Sequence, residues 1–217
     1  IMQASLFQTN PEQNHYTEHQ LGDGKISEYP HAFDSKESES LLATLMELIP
    51  WQQDYLRIAG KTVAVPRLQC WMGDSASNYG YSGIRLTPSP WQSDVSLIRQ
   101  RVENLCDLKF NSVLLNYYRN GNDSVAWHAD DEVELGKNPI IASVSFGVER
   151  KFQLKRKQAT SSSQNKFIMT LGNGSLIVMG KDLQQNWLHQ VPKEKHLQEP
   201  RINLTFRNIV TSQHINK

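Results

Sequence analysis

The chain has 217 residues, enough for one domain with a sizeable core, or for one domain and a tail. Lys plus Arg total 23 and Asp plus Glu total 22, a formal net charge of +1, which excludes a whole-protein field for nucleic acid or membranes and leaves only local patches. Cys70 and Cys106 form no CxxC pair, as expected of reduced thiols, and no apolar run approaches the roughly 18 residues of a membrane span.

Residues 1–28 are polar with few apolar anchors, which predicts a flexible N-terminal arm. Asp34 then opens a helix with Glu37 as its capping-box partner. Leu41, Leu42, Leu45, Met46, Leu48 and Ile49 form its apolar face, and Pro50 ends it. A second helix is predicted from about Pro90 to Cys106, with Val95, Ile98, Val102 and Leu105 at helical spacing. Most of the remainder reads as short strands: 55–59, 62–65, 67–72, 83–86, 111–118, 125–130, 140–147, 150–155, 166–170, 175–179, 187–191 and 201–209. Turn signals such as Asn120-Gly121 and Gly172-Asn173-Gly174 separate them, and 156–166 reads as a polar hairpin loop. Short strands following two helices predict an α+β fold, an antiparallel double-sheet jelly roll with helices packed on one side.

His128-Ala129-Asp130, His189 and the strand Arg201-Ile202-Asn203-Leu204-Thr205-Phe206-Arg207 carry the chemistry. Residues i and i+2 of a strand share a face, so His128 and Asp130 point the same way, and His189 must come from a facing strand. Two His and one carboxylate are the ligands of a mononuclear Fe(II) site with open positions. A zinc hydrolase could use the same three. The two arginines favour iron with an acidic co-substrate such as 2-oxoglutarate, because a dianion buried in a barrel needs fixed cations. On 111–118, Asn116 and Tyr118 share one face, and Val113, Leu115 and Tyr117 the other. On 201–209, Arg201, Asn203, Thr205 and Arg207 oppose Ile202, Leu204 and Phe206. Each piece alone has a bland explanation: a solvated HxD turn, a structural histidine, a half-wet strand. Their order and combination form the signal.

The stretches VPRLQCWMGD (65–74), YGYSG (79–83), FNSVLLNYYRNGNDSVAWHADDE (110–132), NGSLIVMG (173–180), WLHQVPK (187–193) and PRINLTFR (200–207) resemble the AlkB family of Fe(II)- and 2-oxoglutarate-dependent dioxygenases, in its DNA-alkylation-repair branch. The likeness covers about 30–210. It implies a double-stranded β-helix (jelly-roll) core over about 110–210 and a nucleotide-recognition lid over about 55–85, within one domain spanning 29–212. It implies that His128, Asp130 and His189 ligate Fe(II), that Arg201 pairs with the distal carboxylate of 2-oxoglutarate, and that Arg207 lies near its chelating end. Asn116, Tyr118, Asn203 and Thr205 would also bind the co-substrate. The implied reaction is oxidative demethylation of bases such as 1-methyladenine and 3-methylcytosine with O2, releasing formaldehyde, succinate and CO2.

A base inside a duplex must be flipped out to reach the iron, and aromatic faces then hold it. Tyr79 and Tyr81 match lid positions, with Trp71 nearby, and Glu132 matches a position on the base edge. Lys61 and Arg67 flank the lid, and Lys151, Lys155, Arg156, Lys157 and Lys166 cluster near the polar hairpin. Phosphate contact is the functional reading of both groups, and a solvated charge run the bland one. Ala59 stands where duplex-repairing relatives carry an aromatic wedge, so single-stranded and double-stranded DNA both stay open, and RNA with them. A monomer is expected, with no membrane association, in the cytoplasm or, in a eukaryote, the nucleus. Two other functions compete: a same-fold dioxygenase acting on RNA, protein or a small molecule, and a non-enzymatic nucleic-acid-binding domain.

Overall fold

The computed structural model describes residues 14–58, 60–75, 77, 79–81, 84–86, 88–159 and 165–210. Helix α1 (Ser35–Leu48) starts at Asp34, whose carboxylate accepts from Glu37 N at 2.8 Å, satisfying a donor that the helix leaves open. Helix α2 (Ser93–Cys106) begins later than Pro90 suggests. Gln92 is its N-cap and accepts from Val95 N at 3.0 Å, and Asp107 in the left-handed conformation (φ 51°) ends it.

The strands are β1 (Thr17–Gln20), β2 (Gly24–Tyr29), β3 (Tyr55–Ile58), β4 (Lys61–Ala64), β5 (Leu68–Gly73), β6 (Tyr79–Tyr81), β7 (Ile84–Leu86), β8 (Ser112–Tyr118), β9 (Val125–His128), β10 (Ile141–Gly147), β11 (Arg150–Arg156), β12 (Lys166–Leu171), β13 (Ser175–Lys181), β14 (Trp187–Val191) and β15 (Arg201–Arg207), with a one-turn helix α3 (Leu183–Asn186) before β14. Eleven of the strands form a seven-stranded sheet in the order β1-β2-β13-β10-β15-β8-β5 and a four-stranded sheet in the order β12-β11-β14-β9. All strand pairings within these two sheets are antiparallel.

The large sheet is covered on both faces, which explains why β8 (SVLLNYY) and β10 (IASVSFG) run nearly apolar throughout. One face meets α1 and α2 in a core of Leu45, Val95, Ile98, Val102, Val113, Leu115, Val144, Phe146, Ile202, Leu204 and Phe206. The other faces the small sheet across Leu114, Trp71, Ile177, Met179, Phe152, Leu154, Leu171, Trp187 and Val191. Each of these side chains, fully buried, contributes roughly 1.5–3 kcal/mol. The result is the expected jelly roll, with helices on one side and a second apolar layer between the sheets.

Two expectations need correction. Residues 17–29 are not a loose arm: β2 pairs with β13 through Leu176↔Tyr29 to Lys181↔Gly24, and β1 adds to its edge. Residues 1–13 lie outside the described residues. In addition, β9 stops at His128, so Asp130 is in the loop that follows rather than in a strand. Where the lid is expected, two hairpins form, β3–β4 and β6–β7. Ala59 lies outside the described residues, and of Tyr79 and Tyr81 only the backbone is described.

Candidate active site

The alternation of β8 and β15 divides their side chains between the two layers. Val113, Leu115, Ile202, Leu204 and Phe206 go to the helix side, whereas Asn116, Tyr118, Arg201, Asn203, Thr205 and Arg207 line a cavity between the sheets. Phe152, Leu171, Met179 and Val191 supply an apolar wall, and His128, Asp130 and His189 stand on the same cavity.

His128 and His189 are direct cross-strand partners on β9 and β14, with ring centroids 4.2 Å apart. One ligand atom from each of His128, Asp130 and His189 lies within 4.8 Å of the others. His128 Nδ1 donates to the Ala126 carbonyl at 2.8 Å, which leaves Nε2 with its lone pair for a metal. Asp130 is placed from two sides: its N–H donates to Gln184 Oε1 at 2.9 Å, and Arg207 Nη2 donates to its Oδ1 at 2.8 Å. Burial pushes the Asp130 carboxyl up, but the Arg207 guanidinium and the two imidazoles more than reverse this and hold it at about 2. Burial, then the His128 imidazole, push His189 down to about 3, and burial also lowers His128. At neutral pH the triad is therefore one carboxylate and two neutral imidazoles, the protonation states that bind a divalent cation.

Orphaned atoms show what the cavity is built for. Asp130 Oδ2 is buried with no hydrogen-bond partner among the described residues. At the far end Arg201, 1% exposed, donates from Nη2 to Ser145 Oγ at 2.8 Å, while its Nε and Nη1 have no partner among the described residues. Each buried unmade bond costs about 1–3 kcal/mol, and these atoms fit a cation at one end of the cavity and an acid at the other. Between them Thr205 Oγ1 donates to Asn203 Oδ1 at 2.9 Å, and Asn203 Nδ2 donates to Ser143 Oγ at 2.7 Å.

The other expected site residues divide. Arg67 is a cavity residue, 6% exposed, rather than a surface phosphate contact: its Nε donates to Asn116 Oδ1 at 2.7 Å. Trp71 is buried in the inter-sheet core and donates to Ser77 O at 2.9 Å. Glu132 stands at the N-cap position of a 3-10 turn, Val133–Leu135, two residues past Asp130, without a side-chain capping bond. Neither Trp71 nor Glu132 belongs to the cavity wall among the described residues. The basic cluster largely dissolves into local pairs. Arg156 bonds Asp23 at 2.8 Å, Lys157 bonds Asp131 at 2.6 Å and Lys151 lies 3.6 Å from Glu194. Ser143, Ser145 and Gln184 also belong to the site, and nothing in the sequence pattern marks Gln184. For the serines there was a signal, the i, i+2 interruption of the apolar run IIASVSFG.

Two imidazoles and a carboxylate in a jelly-roll cavity, opposite a buried guanidinium that needs an acid, define an open-site iron oxygenase with an oxo-acid co-substrate. The sequence profile of the 2OG-Fe(II) oxygenase superfamily matches residues 25–207. "Alpha-ketoglutarate-dependent dioxygenase alkB homolog 3" of Homo sapiens is 39% identical over 194 residues, 87% of this chain and 67% of that protein. "DNA oxidative demethylase ALKBH2" of Mus musculus is 33% identical over 202 residues, 90% of this chain and 84% of that one. The chain belongs to the 2OG-Fe(II) oxygenase superfamily, in its AlkB branch, and its cofactors are Fe(II) and 2-oxoglutarate. A solved structure, "The structure of OsALKBH1", shares the fold with a TM-score of 0.61 at 14% identity, covering 88% of this chain and all of that one.

Proposed function

We propose that the chain is a DNA repair enzyme that oxidatively demethylates N-alkylated bases of the 1-methyladenine and 3-methylcytosine type. The observation that carries this is the pairing of the His128–Asp130–His189 cluster with the unpartnered Arg201 donors, in a chain similar to alkB homolog 3 and ALKBH2. His128, Asp130 and His189 would hold Fe(II). Arg201, with Tyr118 and Asn203 beside it, would take the distal carboxylate of 2-oxoglutarate, and Thr205 and Asn116 complete the polar wall. Arg207 orients Asp130 through the 2.8 Å bond and stands toward the chelating end.

Bound Fe(II), 2-oxoglutarate and O2 supply an oxidation that yields succinate and CO2 and turns an N-methyl into an N-hydroxymethyl group, which leaves as formaldehyde. The chain's own part is to fix the donors, keep the imidazoles neutral and exclude water with Phe152, Leu171, Met179 and Val191. Tyr79 and Tyr81 would cover the flipped base, with Arg67 and Glu132 at its edge. Trp71, buried in the inter-sheet core and donating to Ser77 O at 2.9 Å, would act on the base only through the segment that leads to Tyr79. Work on DNA places the chain wherever DNA is, in the cytoplasm of a bacterium or the nucleus of a eukaryote, and a monomer suffices.

The test is mass spectrometry of oligonucleotides carrying one 1-methyladenine or 3-methylcytosine, single- and double-stranded, incubated with Fe(II), 2-oxoglutarate and O2. Loss of the methyl mass is expected. Retention of the methyl in both DNA forms, with succinate still produced, would move the activity to another substrate.

A further inference from the structure

Arg150 is a buried cation with no part in the reaction as described. Its side chain is fully buried at the start of β11. Nη2 donates to the carbonyls of Asp123 (2.9 Å) and Pro192 (2.6 Å), Nη1 to the Asn120 carbonyl (3.4 Å), and Nε to Glu194 Oε2 (3.3 Å). These acceptors come from two loops. One follows β8, the strand that ends in Tyr118, and the other precedes β15, the strand that starts with Arg201.

Tyr118 and Arg201 are direct cross-strand partners. Both guanidinium groups lie over the Tyr118 ring, Arg201 at 5.1 Å and Arg150 at 5.5 Å from its centroid. The two loops are also in close contact: Glu194 N donates to Gly121 O at 2.8 Å and Gly121 N to Leu197 O at 2.9 Å, and a Cβ at Gly121 would strike the Glu194 carbonyl. A fork of five donors aimed at three carbonyls and one carboxylate fixes geometry as well as charge.

We propose that Arg150 is a positioning residue for the co-substrate: it clamps the loops that set Tyr118 and Arg201, and its charge, behind the Tyr118 ring, favours a dianion at Arg201. This rests on reading Arg201 as the carboxylate site. A plain fold strut would make the same hydrogen bonds, so the discriminating property is charge. Arg150→Met removes both clamp and charge. Arg150→Lys keeps the charge and loses the fork. Glu194→Gln keeps the fold contacts, since an amide oxygen can still accept from Arg150 Nε and Lys151 N, but removes the anion that offsets Arg150.

The experiment is calorimetric titration of 2-oxoglutarate into the full chain loaded with Mn(II), without turnover, beside the melting temperature of each variant. Arg150→Met should weaken 2-oxoglutarate about tenfold, and Arg150→Lys should recover part of that loss. Glu194→Gln should bind about twofold tighter than wild type, the opposite direction. Should Arg150→Met fail to fold, the lysine and glutamine variants decide alone. Unchanged affinity in both, or weakening in both that merely follows the melting temperature, overturns the proposal. A wild-type chain that does not bind 2-oxoglutarate would instead overturn the reading of Arg201, and the inference with it.

Discussion

Replacing Arg201 by Met should cost 2-oxoglutarate binding far more than it costs stability. The substitution loses the 2.8 Å bond to Ser145, about 1.5–3 kcal/mol, and the contact over Tyr118, about 1 kcal/mol, and regains part of this by removing a buried cation. For 2-oxoglutarate the variant forfeits two charge-assisted bonds of about 1.5–3 kcal/mol each, a loss of roughly 10²- to 10⁴-fold in affinity. Thermal unfolding with Mn(II), with and without 2-oxoglutarate, reads both effects. Wild type at about 100 times its dissociation constant gains about 2.7 kcal/mol, and the variant should gain almost nothing. A variant that still gains from 2-oxoglutarate as wild type does would refute the role of Arg201 as the carboxylate site.

Three further outcomes follow from buried charge. Asp130→Ala removes the acid of a buried ion pair with Arg207 and should cost about 3–5 kcal/mol in urea unfolding, with loss of Fe(II) binding by dialysis; a wild-type midpoint would contradict the pairing. Burial raises the Asp123 carboxyl, but its bonds from Arg119 more than reverse this, so its folded value lies below 3.8. Its contribution is therefore present above pH 3.8 and lost as pH falls through the folded value. Melting curves from pH 2.5 to 7 should show Asp123→Asn about 1–2 kcal/mol weaker than wild type near neutrality, converging with it in acid. Burial pushes Cys70 up to about 11 and Cys106 up to about 12, so at pH 8 about one thiol in a thousand or fewer is thiolate. Iodoacetamide should label both slowly in the native chain and fast in urea, and above about pH 9 the unfolded chain gives up these protons first, so stability falls. Rapid native labelling, followed by mass spectrometry, would count against this.

What could be read in the sequence was whatever depended on strand periodicity and local capping. The alternation of β8 and β15 separated cavity residues from core residues correctly, because both faces of that sheet are buried in different surroundings. Asp34 and Glu37 marked α1, because a cap is a contact within four residues. What could not be read depended on distant partners. The strands β1 and β2 are largely polar and join the sheet through backbone bonds, β2 to β13 and β1 to β2, which leave no apolar rhythm. Arg67 and Arg156 looked like surface cations, yet Arg67 bonds Asn116 and Arg156 bonds Asp23, and neither spacing is visible locally. The HxD spacing points to the right cluster for Asp130, but Gln184 and Arg207 place its carboxylate there, not strand register.

The strand Arg201–Arg207 borders two compartments at once, so its genetics should have a two-beat rhythm. In a saturation library, changes at Ile202, Leu204 and Phe206 would deplete the amount of soluble protein, whereas changes at Arg201, Asn203, Thr205 and Arg207 would leave abundant protein that does not turn over. Selection for activity alone would see seven intolerant positions in a row. Only a second screen for abundance would separate the scaffold's demands from the catalyst's: it would be intolerant at the three helix-facing positions and permissive at the four that face the cavity.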